Sequence, residues 1–141
     1  MAASELQARQ NYIYLANCAQ KHALFNLQAY FEAEADSEQE HYYKLRDFAN
    51  DTGWELETSA VEEPDLEDES VKGILAYVEA FEVQLLKDYD RFYPKASPTT
   101  QAFLVKMLKI QTKGAGEAMD NVRLWETCNG IPALFDQNFK K

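Results

Sequence analysis

The chain has 141 residues, of which 46% are apolar, and its formal net charge is −10 at neutral pH. This length and apolar content fit one domain with a real core, which excludes a largely disordered chain. The acidic balance argues against nucleic acid as a partner, because phosphate binding depends on Lys and Arg.

Membrane insertion, secretion and thiolate chemistry are also disfavoured. No apolar run approaches the about 18 residues of a membrane helix, and the first ten residues lack the apolar segment of a signal peptide. Cys18 and Cys128 lie outside any CxxC pair, which indicates neither a disulfide framework nor a thiolate metal site. We therefore expect a soluble cytoplasmic protein with no membrane partner.

Glycine and proline are scarce, and they cluster where helices would stop. The stretches between them predict four helices, at about 4–21, 25–51, 69–92 and 98–127. Ser and Asp accept hydrogen bonds from free backbone N–H groups, and Pro is tolerated in a first turn. The predicted helix starts are accordingly Ser4, Asp68 or Glu69, and Ser97 or Pro98.

The connections predict how the helices are arranged. Short links join the first helix to the second and the third to the fourth, so each pair should be antiparallel. The longer, acidic link between the second and third helices suits a crossover along a bundle. The sequence thus predicts an all-α four-helix bundle, with one domain over residues 1–141 and a C-terminal stub at 128–141.

Residues spaced alternately three and four apart mark the buried seam of a packed helix. On the first helix this seam holds Glu5 near the start and Tyr12 near the middle. Glu5 has the ordinary alternative of favouring the helix dipole from the first turn, and Tyr12 that of filling the core. His22, at the end of the seam, is expected to be an ordinary, partly exposed histidine.

The seam of the second helix contains three titratable residues among apolar ones: Glu34, Glu38 and His41. Glu38 and His41 are three residues apart and point the same way, which is the Glu-x-x-His spacing of di-iron bundles. Glu34 is either a carboxylate of an entry path or third metal site, or a residue that reaches solvent at the end of the polar layer.

Each of the last two helices carries one polar residue in its apolar seam. Glu82 is the polar residue of the third helix, and Gln111 that of the fourth. Gln111 has the alternative of a hydrogen bond across the bundle. Glu79 lies one turn from Glu82 but beside the seam, so we expect a solvated or rim position, with a ligand role only second.

Carboxylates that converge in an apolar core are costly unless they shift their pKa, find partners or bind a metal. The seams contain no Lys or Arg, so a pair of divalent cations would remove the repulsion. Carboxylates with imidazole suit iron or manganese. The alternative is a metal-free helical interaction protein whose buried polar groups fix the pairing register.

Four segments resemble the ferritins, especially the bacterial non-haem kind. Glu5-Leu6 followed by Tyr12 resembles the family's first-helix Glu and Tyr. AEADSEQEHYYKLRDFANDTG resembles the second-helix signature, and VEEPDLEDES resembles the crossover. AFLVKMLKIQ is similar to the fourth-helix stretch that reaches the family's Gln.

This resemblance implies a ferritin-like fold and a di-iron ferroxidase centre that oxidises Fe(II) with dioxygen or peroxide and passes Fe(III) to a mineral store. Glu38 would bridge the irons and Tyr12 would hydrogen-bond to the site, which makes these two the catalytic residues. Manganese or zinc would be substitute metals, and the partner would be further copies of the chain, in a 24-subunit cage. The implied metal ligands are Glu5, Glu38, His41, Glu82 and Gln111.

The sequence also departs from the family pattern. Gly114 stands where a second Glu-x-x-His motif would place histidine, which disfavours the bacterioferritin and rubrerythrin patterns. Ser37 and Ile110 stand where many ferritins have carboxylates of an extra iron site, leaving Glu34 and Glu40 as substitutes. The C-terminus is short, so a ferritin-like di-metal oxidase, or a cargo protein without its own mineral cavity, is the alternative function.

Overall fold

The computed structural model describes residues 1–56 and 60–141. These residues form α-helices and one short 3-10 turn, at Tyr93–Lys95. The helices, in chain order α1 to α5, are Ala2–Lys21, Phe25–Thr52, Val71–Phe92, Pro98–Thr127 and Pro132–Gln137. The prediction of an all-α four-helix bundle with a short C-terminal segment is therefore confirmed.

Two of the predicted helix starts are wrong. α1 begins at Ala2 after Met1, without a side-chain cap, so Ser4 lies inside the helix. α3 begins after Ser70, whose hydroxyl accepts a hydrogen bond from the Gly73 N–H at 3.1 Å. The predicted start at Ser97 and Pro98 agrees with α4, since the Ser97 hydroxyl accepts from the Thr100 N–H at 3.3 Å.

The helices pack in two neighbouring pairs, α1 with α2 and α3 with α4. The link from α2 to α3 begins at Gly53, which has a positive φ of 78° and ends α2 in a left-handed cap. Further along, the Gln7 side chain pairs with the backbone of Glu62 through two hydrogen bonds, at 2.8 and 2.9 Å. The link is thus held against α1, although residues 57–59 of the predicted crossover lie outside the described residues.

Two apolar clusters fill the bundle. The larger one contains residues from all five α-helices, among them Leu15, Phe31, Ile74 and Phe135. The smaller one, near the other end, is built on a second set of buried residues: Leu45, Tyr89, Leu104 and Met107. A polar layer lies between the two clusters on every helix of the bundle. None of the helices in the described part of the chain is long and apolar enough to cross a bilayer.

The short C-terminal segment docks on the bundle through two adjacent residues. Phe135 is completely buried in the larger cluster. The Asp136 carboxylate accepts hydrogen bonds from the backbone N–H groups of Leu27, at 2.8 Å, and Asn26, at 3.3 Å. α2 has no side-chain cap of its own at Leu24, so Asp136 caps it from α5.

We predict that Asp136→Ala lowers the free energy of unfolding by about 1 kcal/mol, because the first-turn N–H groups of α2 lose their acceptor. Thermal and denaturant unfolding measure this change. Asp120→Ala is the matched control, since Asp120 makes only an exposed ion pair with Arg123, and its loss should change stability by less than about 0.5 kcal/mol. Equal effects of the two substitutions would contradict the capping role.

Candidate metal centre

The polar layer is built from one side chain of each helix of the bundle. These four side chains are Glu5, Glu38, Glu82 and Gln111, and none is more than 3% exposed. On α3 and α4 the polar residue lies between buried residues of the two apolar clusters along the helix. The buried face that packs the core therefore also places this residue in the layer. Burial at this depth means that each side-chain oxygen needs a donor or a cation.

Glu5, Glu38 and His41 form a compact group across α1 and α2. One ligand atom from each lies within 4.8 Å of the others. The His41 Nδ1 is 3.2 Å from Glu38 Oε2 and 3.6 Å from Glu5 Oε2. Glu5 Oε2 is buried without a hydrogen-bond partner. The structure therefore brings together three predicted ligands, and one of their oxygens has no donor of its own.

Glu82 lies outside the group of Glu5, Glu38 and His41. Its Oε1 accepts from the Tyr12 hydroxyl at 2.5 Å, and its Oε2 accepts from the Gln111 amide at 2.6 Å. The carboxyl group of Glu38 affects the pKa values of both Glu5 and Glu82. It thus links the group of Glu5, Glu38 and His41 to the pair of Glu82 and Gln111. A Cβ atom at Gly114 would lie 3.2 Å from Glu82 Oε2, so the glycine leaves room for this carboxylate.

Tyr89 also reaches the layer, a contact that the sequence does not predict. Its hydroxyl donates to Glu5 Oε1 at 2.5 Å, and its side chain is 1% exposed. In the sequence, Tyr89 is marked only by its position in the α3 seam, two turns after Glu82. An aromatic residue at such a position is expected to pack in the core. A carboxylate in the seam of α1 at the same level is what gives the hydroxyl a partner.

The other titratable residues that the sequence analysis considered, Glu34, Glu79 and His22, lie nearer the surface. Glu34 is half-buried, and its neighbour Ala35 takes the buried position on α2. Glu79 is half-buried and outside the group of Glu5, Glu38 and His41. His22 is exposed, with its Nε2 2.7 Å from the Glu69 carbonyl oxygen.

The electrostatics of the layer favour extra protons when no cation is bound. Burial raises the pKa of Glu38 to about 9, assisted by Glu5. Burial and the charges of Glu117 and Glu82 raise the pKa of Glu34 to about 7. Burial lowers the pKa of His41, but the hydrogen bond with Glu38 and the nearby Glu5 carboxylate outweigh it and raise the pKa to about 10.

Glu5 behaves in the opposite way. Burial raises the pKa of Glu5, but the interactions with His41, Glu38 and Tyr89 outweigh it and lower the pKa below its ordinary value. The layer thus holds an ionised carboxylate next to a carboxyl group and an imidazole that both retain protons. A cation that enters would displace those protons, as metal binding does generally.

The donor set fits a divalent cation with oxygen and nitrogen ligands. The carboxylates of Glu5 and Glu38 converge with the imidazole of His41. The carboxylate of Glu82 and the carboxamide of Gln111 form a second, hydrogen-bonded pair. Such ligands suit iron and manganese, and they also accept zinc. Within the layer, Glu5 Oε2 is the buried oxygen that has no hydrogen-bond donor among the described residues.

Comparisons with known proteins agree with this fold. The chain matches the ferritin family, described as a ferritin-like domain, over residues 1–126. A PmFTN variant soaked in iron overnight superposes with a TM-score of 0.90 at 22% identity, covering 98% of this chain and 92% of that chain. No curated protein matches the chain significantly.

Two further solved structures have the same fold. An open pore ferritin from the hyperthermophilic archaeon Archaeoglobus fulgidus superposes with a TM-score of 0.91 at 21% identity, covering 98% of this chain and 88% of that chain. A humanized archaeal ferritin gives a TM-score of 0.90 at 21% identity, with the same coverage of 98% and 88%. At this level of identity the likeness establishes the fold alone.

We predict that the metal-free chain becomes less stable as the pH rises from about 6 to about 9. Glu34, Glu38 and His41 all have raised pKa values, so the native state holds more protons than the unfolded state in this range. Stability falls with pH wherever the native state binds more protons. Thermal unfolding in the presence of a chelator measures the slope.

Zinc is the control, because it replaces the protons and should reverse this slope at saturating concentration. A metal-free protein whose stability rises over the same range would contradict the protonation pattern of the layer.

Proposed function

The chain belongs to the ferritin family, and from that premise we propose that its buried layer binds two Fe(II) ions and oxidises them to Fe(III). The observation that carries the proposal is the free oxygen of Glu5. It is fully buried near an imidazole and a second carboxylate, and none of the described residues donates a hydrogen bond to it. A cation is the partner that makes such an oxygen tolerable in an apolar core.

We assign the ligands to two positions that share Glu38. Glu5 and His41 bind the iron of the first position, since their atoms converge there. Glu82 binds the iron of the second position, and Gln111 holds a water molecule or the oxidant beside it. The place of Glu38 in the group with Glu5 and its electrostatic influence on both Glu5 and Glu82 support its bridging role.

The reaction is an oxidation of substrate iron, so its balance is short. Two Fe(II) ions give up two electrons, which reduce dioxygen to hydrogen peroxide or hydrogen peroxide to two water molecules. Both reductions consume two protons. The protein contributes carboxylates that stabilise the higher charge of Fe(III), and two flanking apolar clusters that limit access of water.

Tyr12 and Glu34 have secondary roles in this proposal. The Tyr12 hydroxyl orients Glu82 through its 2.5 Å hydrogen bond and lies close enough to act as a redox partner of the site. Glu34 is half-buried one turn from Glu38, where its carboxylate attracts cations on their way to the layer or holds a third one. Glu79 is half-buried outside the group of Glu5, Glu38 and His41, and we rank it below Glu34 as a ligand.

We further propose that copies of the chain assemble into a 24-subunit cage that stores the ferric product as a mineral. The family membership and the likeness to solved ferritins support this assembly. Particle size, measured before and after aerobic loading with Fe(II), tests it. A small particle that oxidises iron but retains none would instead indicate a di-metal oxidase or a cargo protein, and a chain that binds no metal would be an interaction protein.

We predict that Glu38→Gln slows Fe(II) oxidation by more than the about 10–100-fold that changes to outer-shell groups cost. The substitution keeps the volume of the side chain but removes the charge that both irons share. Stopped-flow absorbance of ferric product measures the initial rate, and far-UV circular dichroism checks that the helices persist.

Glu32→Gln is the matched control, because Glu32 lies on the same helix and is exposed. Its rate should stay within about twofold of the unaltered chain, as exposed charges usually matter little. Equal rates for Glu38→Gln and the unaltered chain would rule out the proposed centre.

A further inference from the structure

We propose that Tyr89 is a positioning residue for the first metal position, acting through Glu5. This inference rests on the proposed function, because it assigns a role at the same site. The Tyr89 hydroxyl donates to Glu5 Oε1 at 2.5 Å, while Glu5 Oε2 has no donor and lies 3.6 Å from His41 Nδ1. The phenol thus occupies one oxygen of the carboxylate and leaves the other turned toward the ligand group.

The location of Glu5 explains why it needs such a contact. It lies in the first turn of α1, after Met1, which offers no side-chain cap. First turns lack part of the backbone hydrogen bonding that fixes the middle of a helix. A flexible glutamate side chain at this point has several rotamers, and only some of them place an oxygen near Glu38 and His41.

Tyr89 is suited to fix that rotamer because it is itself immobilised. Its ring belongs to the smaller apolar cluster, where it packs with Leu45, Leu104 and Met107 from α2 and α4. It comes from α3, whereas Glu5 lies on α1. The hydrogen bond therefore transmits the rigidity of the packed core to the carboxylate of α1.

The contrast with Tyr12 shows that Glu5 depends more on its phenol than Glu82 does. Tyr12 donates to Glu82 in the same manner, but the second oxygen of Glu82 already accepts from Gln111. Among the described residues, the Tyr89 phenol is the only phenol or amide that donates to the Glu5 carboxylate, so its loss removes the hydrogen bond at Oε1. Loss of the Tyr12 hydroxyl leaves Glu82 tied by the amide.

The test is metal binding by the full chain, measured with Zn(II) and Co(II), which need no oxidant. We expect Tyr89→Phe to weaken one of two bound equivalents by about 10-fold or more, the usual effect of removing a group that orients a ligand. The visible spectrum of Co(II) at that equivalent should change, because the Glu5 carboxylate no longer has one fixed orientation. A purely packing role would leave both affinity and spectrum unaltered.

Tyr93→Phe is the matched control, since Tyr93 packs against the same apolar cluster. We expect its affinities to stay within about twofold of the unaltered chain, as substitutions away from special contacts usually do. Tyr89→Phe affinities within that same range for both equivalents would overturn the proposal.

A double-substitution cycle with Glu5→Gln keeps the proposal falsifiable if Tyr89→Phe also lowers stability. Because Tyr89 acts through Glu5, its substitution should have no further effect on affinity in the Glu5→Gln chain. An undiminished effect in that background would overturn the positioning role. Normal two-site binding without Fe(II) oxidation, in the unaltered chain, would refute the ferroxidase function while leaving the result for Tyr89 intact.

Discussion

The structure depends on the burial of three carboxyl groups at one level of a helical bundle. Charged oxygens lose their hydration there, and their mutual repulsion adds to that cost. Phenols from α1 and α3, an amide from α4 and an imidazole from α2 satisfy most of these oxygens. Those groups belong to the same seams that pack the core, so the fold and the site are made by one set of residues.

The polar layer also divides the core into two apolar clusters, and both benefit the site. The larger cluster contains Tyr12 and the smaller one contains Tyr89, so each phenol is fixed by packing before it reaches its carboxylate. Oriented donors of this kind set the geometry of ligands more firmly than the ligands' own helices can. The repulsion that remains is a cost in stability that a functional site commonly carries.

The helix ends show how the bundle is closed around this layer. Ser70 and Ser97 cap α3 and α4 from their own sequence, whereas α2 receives its cap from Asp136 in α5. The C-terminal segment is therefore part of the folded bundle and supports the helix that carries Glu38 and His41. An ordinary cap comes from a residue next to the helix in sequence. The cap from Asp136 forms only after the chain has folded, because it joins residues that are far apart in sequence.

The sequence by itself determined the helices and the polar members of their seams, because helical periodicity and burial are properties of local spacing. Glu34, for which the sequence left both a ligand role and a position that reaches solvent, is half-buried, and Ala35 takes the buried position, because a helix of 3.6 residues per turn drifts away from a strict three-four alternation. Tertiary structure alone decided that Asp136 caps α2 and that the hydroxyl of Tyr89 meets Glu5. Both contacts join residues that are far apart in the chain, and only the packed bundle fixes the distances between them.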